Sequence, residues 1–69
     1  MIKTIIENEE FKIYETESEA REDIVNFFCF TTSYAEQKTE AFNQFLDVIK
    51  NYPINTINKM DYNVKFELV

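Results

Sequence analysis

The chain of 69 residues contains no histidine and no glycine, and each absence removes a class of chemistry. Histidine is the commonest general base and transition-metal ligand, so Ser-His-Asp and Cys-His catalytic arrangements cannot form within this sequence. Glycine lets a backbone approach phosphate closely, so Walker-type and dinucleotide-binding loops are excluded too. An EF-hand loop also needs a glycine, at its sharp turn. We therefore expect no enzymatic activity and no cofactor.

Cysteine and long hydrophobic runs are also scarce. The single cysteine, Cys29, can form neither an intramolecular disulfide nor, without other ligands, a zinc site, so no bound metal is expected. The longest uncharged run, Ile24 to Ala35, has twelve residues and contains Asn, Thr and Ser, which is too short and too polar to span a bilayer. We expect a cytoplasmic protein, in the host cytoplasm if it is phage-encoded, without membrane contact.

Aromatic and apolar residues are abundant for so short a chain. There are seven Phe and four Tyr, and 45% of the residues are hydrophobic, which is enough for a small core. The length predicts a single domain over residues 1–69. A domain of this size buries a modest share of its surface, so contact with a partner or with a second copy would add stability.

The C-terminal half predicts one helix followed by one strand. Apolar residues recur at helical spacing between Tyr34 and Asn51, and Pro53 ends that helix. Residues 54–61 are expected to form a loop. Apolar and polar residues then alternate from Tyr62 to Leu68, which is typical of a half-buried strand. The helix and strand are expected to pack through Phe42, Phe45, Ile49, Val64 and Phe66.

The N-terminal part predicts two short strands and one ambiguous segment. The strands cover Ile2–Ile6 and Phe11–Thr16, and Asn8 takes a left-handed conformation in the tight turn between them because no glycine is available. Residues 17–30 admit two interpretations, since FFCFTT favours a strand and SEARED favours a helix. The strand interpretation gives an α+β fold: a small antiparallel sheet in the order β-β-β-α-β, with one amphipathic helix packed on one face.

The strand interpretation also leaves an apolar patch. One helix covers one face of a four-stranded sheet. Val25, Phe27 and Cys29 would then lie on the uncovered face, where they could form a homodimer interface. If the segment is helical, or if a loop covers it, these three residues belong to the core instead.

The net charge of the chain is concentrated in ENEEFKIYETESEARED, residues 7–23. Eight acidic residues against two basic ones account for the whole net charge of −6, while the rest of the chain is balanced. Such a segment can simply be a solvated edge that prevents strand pairing and keeps a small protein in solution. It can also be a binding element.

As a binding element, the segment presents a row of carboxylates. In an extended chain Glu15, Glu17 and Glu19 project from one side, one every ~6.7 Å. DNA presents a charge about every 3.4 Å of axis per strand, so this row can approximate part of a phosphate row. A protein groove lined with Lys and Arg would accept such a row, whereas direct contact with nucleic acid is disfavoured by the acidic charge. The predicted partner-binding residues are Tyr14, Glu15, Glu17, Glu19, Glu22 and Asp23.

In size and charge the chain resembles small acidic phage proteins that inhibit nucleic-acid enzymes, including anti-CRISPR proteins and other DNA mimics. The resemblance rests on EEFKIYETESEARED and on the strand–helix–strand pattern that ends in DYNVKFELV. It implies a viral inhibitor that docks its acidic hairpin into the basic channel of a nucleic-acid-binding effector. The alternative is a small homodimeric interaction module, such as an antitoxin or adaptor, assembled through the apolar sheet face.

Overall fold

The computed structural model describes all 69 residues, which fold into three strands and four helices. The elements in chain order are β1 (Ile2–Ile6), β2 (Glu9–Tyr14), α1 (Glu17–Thr31), α2 (Tyr34–Gln37), α3 (Glu40–Asn51), α4 (Ile54–Lys59) and β3 (Val64–Leu68). The strands form one antiparallel sheet in the order β2-β1-β3. The α+β class with a small antiparallel sheet is therefore confirmed, whereas the number of helices and strands differs from the prediction.

The turn between β1 and β2 consists of Glu7 and Asn8, which have positive φ angles of 53° and 68°. Positive φ at both central positions is the signature of a type I′ hairpin turn, whose right-handed twist matches the strands. The left-handed conformation predicted for Asn8 is confirmed. Glu7 adopts it as well, at a cost of about 1–2 kcal/mol for an ordinary L-residue.

A bulge in β2 explains the one buried polar side chain, Thr4. Thr4 lies opposite Lys12 and Ile5 lies opposite Glu10, so Phe11 has no partner in the ladder. The Thr4 hydroxyl donates to the Lys12 carbonyl at 3.0 Å and accepts from the Lys12 N–H at 3.1 Å. It thereby satisfies the backbone groups where the bulge interrupts the ladder.

Residues Glu17–Thr31 form helix α1, so the interpretation of this segment as a third strand was wrong. Thr16 is the N-cap: its hydroxyl accepts the Glu19 N–H at 3.2 Å and bonds the Glu19 carboxylate at 3.0 Å. Ala20 and Ile24, one turn apart, are fully buried beneath the helix. The Thr16 cap and the burial of Ala20 and Ile24 outweigh the local strand propensity of FFCFTT.

The helix predicted from Tyr34 to Asn51 is interrupted once. α2 ends at Gln37, and Thr39 becomes the N-cap of α3 by accepting the Phe42 N–H at 3.2 Å. A threonine oxygen that binds the backbone ahead of it starts a new helix more readily than it continues an old one. Both α2 and α3 lie within the predicted range, so the helical prediction is confirmed except for the break at Lys38 and Thr39.

The connection predicted as a loop contains a further helix, α4, which begins after Pro53 as its N-cap. The residue before a proline avoids helical angles, and Tyr52 is extended, which ends α3. The fixed φ of Pro53 is compatible with a helix start and allows α4 to begin. The last strand begins at Val64, two residues later than predicted.

The helices cover one face of the sheet and enclose one core. The fully buried apolar residues are Ile2, Ala20, Ile24, Val48, Ile49, Ile57, Val64 and Phe66. Of the five residues predicted to pack helix against strand, Ile49, Val64 and Phe66 belong to this core. The other two, Phe42 and Phe45, are only half-buried. No helix combines the length and the apolar character needed to cross a membrane.

A side chain covers the outer edge of β3. The Asn58 amide donates to the Phe66 carbonyl at 2.8 Å and accepts the Phe66 N–H at 2.9 Å. β3 has a neighbouring strand on its inner side only. Asn58 therefore takes the place of a partner strand at the central residue of β3.

Candidate functional site

The acidic segment folds into the hairpin and the first half of α1, so its carboxylates do not form an extended row. Glu15 precedes the N-cap, while Glu17 and Glu19 lie in the first turn of the helix. Successive helical residues rise by only about 1.5 Å and turn by about 100°. The predicted one-sided row of Glu15, Glu17 and Glu19 was therefore wrong, although their role in binding stays a prediction.

Helical spacing brings a different set of side chains to the surface. Glu19, Glu22, Asn26 and Phe30 lie three or four residues apart and are all exposed, so they share one side of α1. We call these four residues the α1 stripe. It begins with two carboxylates near the helix N-terminus, where negative charge is favoured, and it ends in Phe30, which is 90% exposed. Sequence reasoning missed Phe30, which a helical projection from the Thr16 cap would have revealed.

Beside the stripe, two polar contacts tie β2 to α1. The Tyr14 hydroxyl donates to the Asp23 carboxylate, and Lys12 Nζ lies 3.5 Å from the same carboxylate. Burial raises the pKa of the Tyr14 phenol above its ordinary value, and the hydrogen bond and negative charge of Asp23 raise it further. Tyr14 is therefore a neutral donor that fixes Asp23.

A shallow polar cleft of about 340 Å³ lies between β2 and α1. Its lining residues are Lys12, Tyr14, Glu19, Glu22, Asp23 and Asn26. The structure thus brings together four of the six predicted partner-binding residues. Glu15 lies outside the cleft, and Glu17 instead binds Arg21 at 2.6 Å, whose guanidinium donates to the Ile49 carbonyl at 2.8 Å.

The acidic residues of the segment differ in whether they already have a partner. Four contact a cation or a hydroxyl group of this chain: Glu10, Glu17, Glu19 and Asp23. The other four make no ion pair and no side-chain hydrogen bond: Glu7, Glu9, Glu15 and Glu22. Fewer carboxylates are therefore free for a partner than the sequence suggests.

The predicted apolar patch of Val25, Phe27 and Cys29 does not form a common face. Helical spacing places Val25 and Cys29 on one side of α1 and Phe27 on another, and all three are half-buried. The Phe27 ring packs 4.9 Å from the Phe11 ring, between centroids, beneath the hairpin. A sheet face made of these residues was therefore a wrong expectation, because the segment is a helix.

Comparison with known proteins gives no match. No protein-family model matches the sequence, and neither a curated protein nor a solved structure matches it.

Proposed function

We propose that the chain is a non-enzymatic binding protein that docks the α1 stripe and the adjoining cleft onto a basic surface of a nucleic-acid-processing protein. It would act as an inhibitor of the anti-CRISPR or DNA-mimic type, in the cytoplasm of a host cell if it is phage-encoded. One observation carries the proposal: two exposed carboxylates of the stripe, Glu19 and Glu22, share a helix side that bears no lysine or arginine. The helix face replaces the extended hairpin as the docking element.

Charge would act chiefly while the partners approach each other. A protein groove lined with Lys and Arg attracts carboxylates as it attracts phosphates, and this attraction raises the association rate at low salt. The exposed carboxylates Glu15 and Glu22 add to it because neither is paired within the chain. Binding of this kind weakens as the salt concentration rises.

Phe30 would supply apolar contact once the acidic end is docked. A buried phenylalanine ring contributes a large contact area at small entropic cost, and 90% of this side chain is exposed in the free protein. The stripe therefore combines charge, which sets the rate of association, with one ring that slows dissociation.

The stripe is also held rigidly before binding. The Thr16 cap fixes the start of α1, and the contact of Tyr14 and Lys12 with Asp23 fixes the helix against β2. A preorganised surface loses less conformational entropy on binding than a flexible one.

Two matched charge reversals test this proposal. Glu19→Lys with Glu22→Lys changes the stripe, and Glu40→Lys with Asp47→Lys makes the same change of net charge on exposed positions of α3. Partners captured from a bacterial lysate at low and high salt supply the target, and association kinetics are measured at both salt concentrations. We expect the stripe variant to lose binding, mainly through slower association, while the α3 variant keeps it. Equal losses would mean that only total charge matters, and the proposal would be dropped.

The alternative, a homodimeric interaction module such as an antitoxin or adaptor, now depends on Phe30. It is the most exposed large apolar side chain of the chain, whereas Val25, Phe27 and Cys29 are half-buried. Sedimentation of the parent and of Phe30→Glu separates the two functions. A parent dimer that becomes a folded monomer would favour the module, and a monomeric parent would favour the inhibitor.

A further inference from the structure

A groove of about 490 Å³ lies between the C-terminal end of α1, the start of α3 and the start of β3, apart from the α1 stripe. Its apolar lining consists mainly of Ile6, Phe28, Phe42, Phe45, Tyr62 and Val64. The Phe45 ring is central, with centroids 5.0 Å from those of both Phe28 and Tyr62. All three rings are half-buried, so each keeps part of its surface open to the groove.

Three carboxylates line the groove beside these rings: Glu7 from the hairpin turn, Glu36 from α2 and Asp61 from the connection to β3. No lysine or arginine lines it. All three residues are exposed, and none of them belongs to any of the four ion pairs or forms a side-chain hydrogen bond within the chain. The groove therefore combines an aromatic lining with negative charge that the chain does not compensate.

The conformation of Glu7 is a second observation at this site. Its φ angle of 53° is left-handed, and its N–H is held by the Asn63 carbonyl at 2.9 Å. Asparagine or glycine suits this turn position better, so glutamate occupies it at a backbone cost. Strained positions of this kind concentrate at binding sites.

The backbone around the groove indicates what kind of segment could occupy it. The Glu7 N–H is bonded to Asn63, and the outward backbone groups of Phe66 on β3 are bonded to Asn58. An extended peptide binds by adding a continuous row of backbone hydrogen bonds along a strand edge, and Asn58 interrupts that row at the centre of β3. A helix satisfies its own backbone bonds and needs only apolar contact and charge from the groove.

We propose that this aromatic groove docks an amphipathic helix of a partner protein, with apolar side chains against Phe28, Phe42 and Phe45. Lysine or arginine residues beside those apolar positions would pair with Glu7, Glu36 and Asp61. Apolar contact gives such a complex its affinity, and the unpaired carboxylates select a cationic helix over an acidic one. The groove and the α1 stripe are separate surfaces, so each can bind without the other.

Three synthetic helical peptides of equal length serve as probes. The first has leucine and phenylalanine along one face flanked by lysine and arginine; the second replaces those cations with glutamate. The third keeps the cationic composition but disperses the apolar residues around the helix. Titration calorimetry with the whole chain should show that the first binds at least about tenfold more tightly than either other peptide. Equal affinity of the first peptide with either of the others would overturn the proposal.

A matched pair of variants places the binding site. Ala41 and Ala35 are both exposed helical alanines, and only Ala41 lines the groove. Ala41→Arg fills the groove and adds a positive charge, which repels the cationic first peptide. That peptide should therefore bind Ala41→Arg about tenfold more weakly than the parent, while it should bind Ala35→Arg as it binds the parent. Equal losses in the two variants would place binding elsewhere. Circular dichroism establishes that each variant is folded.

Three further measurements separate this groove from other binding surfaces of the chain. Glu36→Gln with Asp61→Asn should weaken binding of the first peptide severalfold at low salt and little at high salt, because screening removes the charge contribution. Glu19→Gln with Glu22→Gln on the α1 stripe should leave it unchanged; a loss there instead would overturn the proposal. A parent dimer that Ala41→Arg dissociates would also overturn it, because the occupant would then be a second copy of the chain.

Discussion

The β2–α1 side and the β3–α3 side of the molecule are stabilised by different interactions. On the first side, Tyr14 and Lys12 hold Asp23 through polar contacts between elements. On the second side, the aromatic rings around Phe45 pack against the buried apolar core, to which Phe66 belongs. The charged side also uses many of its carboxylates internally, whereas the apolar side leaves its groove carboxylates unpaired. The density of charge along a sequence therefore does not show where charge is available to a partner.

Truncation of Phe66 to alanine tests the apolar side and should have the largest effect. The side chain is 1% exposed, so its loss leaves a cavity and should lower the free energy of unfolding by about 3–5 kcal/mol, enough to unfold a domain this small. Urea denaturation measures this change in the free energy of unfolding. Phe30→Ala, at the exposed end of the α1 stripe, is the control and should change stability little. Similar effects of the two variants would refute the division into core and surface rings.

Replacement of Asn58 by alanine tests whether one side chain secures the β3 edge. Both hydrogen bonds to the Phe66 backbone disappear, and leaving these groups unpaired should cost about 1–3 kcal/mol. Asn55→Ala is the matched control, because Asn55 lies in the same helix but is exposed. Thermal denaturation that gave equal midpoints for the two variants would show that the edge contact contributes nothing.

The Tyr14→Phe variant tests the polar side through its pH dependence. Because the folded protein raises the pKa of Tyr14, the folded state holds the phenolic proton more tightly than the unfolded chain, whose tyrosine pKa is about 10. The resulting stability is fully present below about pH 10 and is lost as the pH rises toward the raised value. Tyr14→Phe should cost about 1 kcal/mol at neutral pH and flatten this alkaline loss. The steep loss should persist in Tyr34→Phe, which removes an exposed tyrosine.

The smallest expected effect concerns the hairpin turn, which belongs to both sides because Glu7 lies at the groove and β2 contacts α1. Asn8 has a φ angle of 68°, a region that glycine enters without a steric cost. Asn8→Gly should therefore raise the free energy of unfolding by roughly 0.5 kcal/mol, while Asn8→Ala should lower it by about 1 kcal/mol. Chemical denaturation of the two variants and the parent measures both changes in the free energy of unfolding. Effects of the same sign would show that backbone conformation at this turn is not the cause.

Regular local patterns allowed part of the fold to be predicted from the sequence. The alternation in β3, the apolar spacing in α3 and the left-handed Asn8 all follow from interactions between near neighbours. Helix α1 was uncertain because its strand propensity competes with burial of Ala20 and Ile24, which depends on packing between distant parts of the chain. Thr39 divided the second helix through one hydroxyl group, which apolar spacing does not reveal.

The candidate sites were less predictable than the fold. Glu19, Glu22 and Asp23 were identified from charge and Tyr14 from its place beside them, and the cleft does bring the four together. The groove was missed because it combines residues far apart in the chain, such as Glu7, Glu36 and Asp61, that belong to no common sequence pattern. Only the tertiary fold, which brings α2 and α3 to the same groove as the hairpin turn and the start of β3, assembles them.

The Asn58 contact with β3 also sets how many neighbours the sheet can accept. Strand addition requires a free edge, and a particle with two free edges can polymerise without limit. In this molecule the central residue of one outer strand is already occupied, so β2 is the remaining edge. Strand addition is therefore hindered at the centre of β3, and two copies joined through their β2 strands would leave only that hindered edge on each outer side.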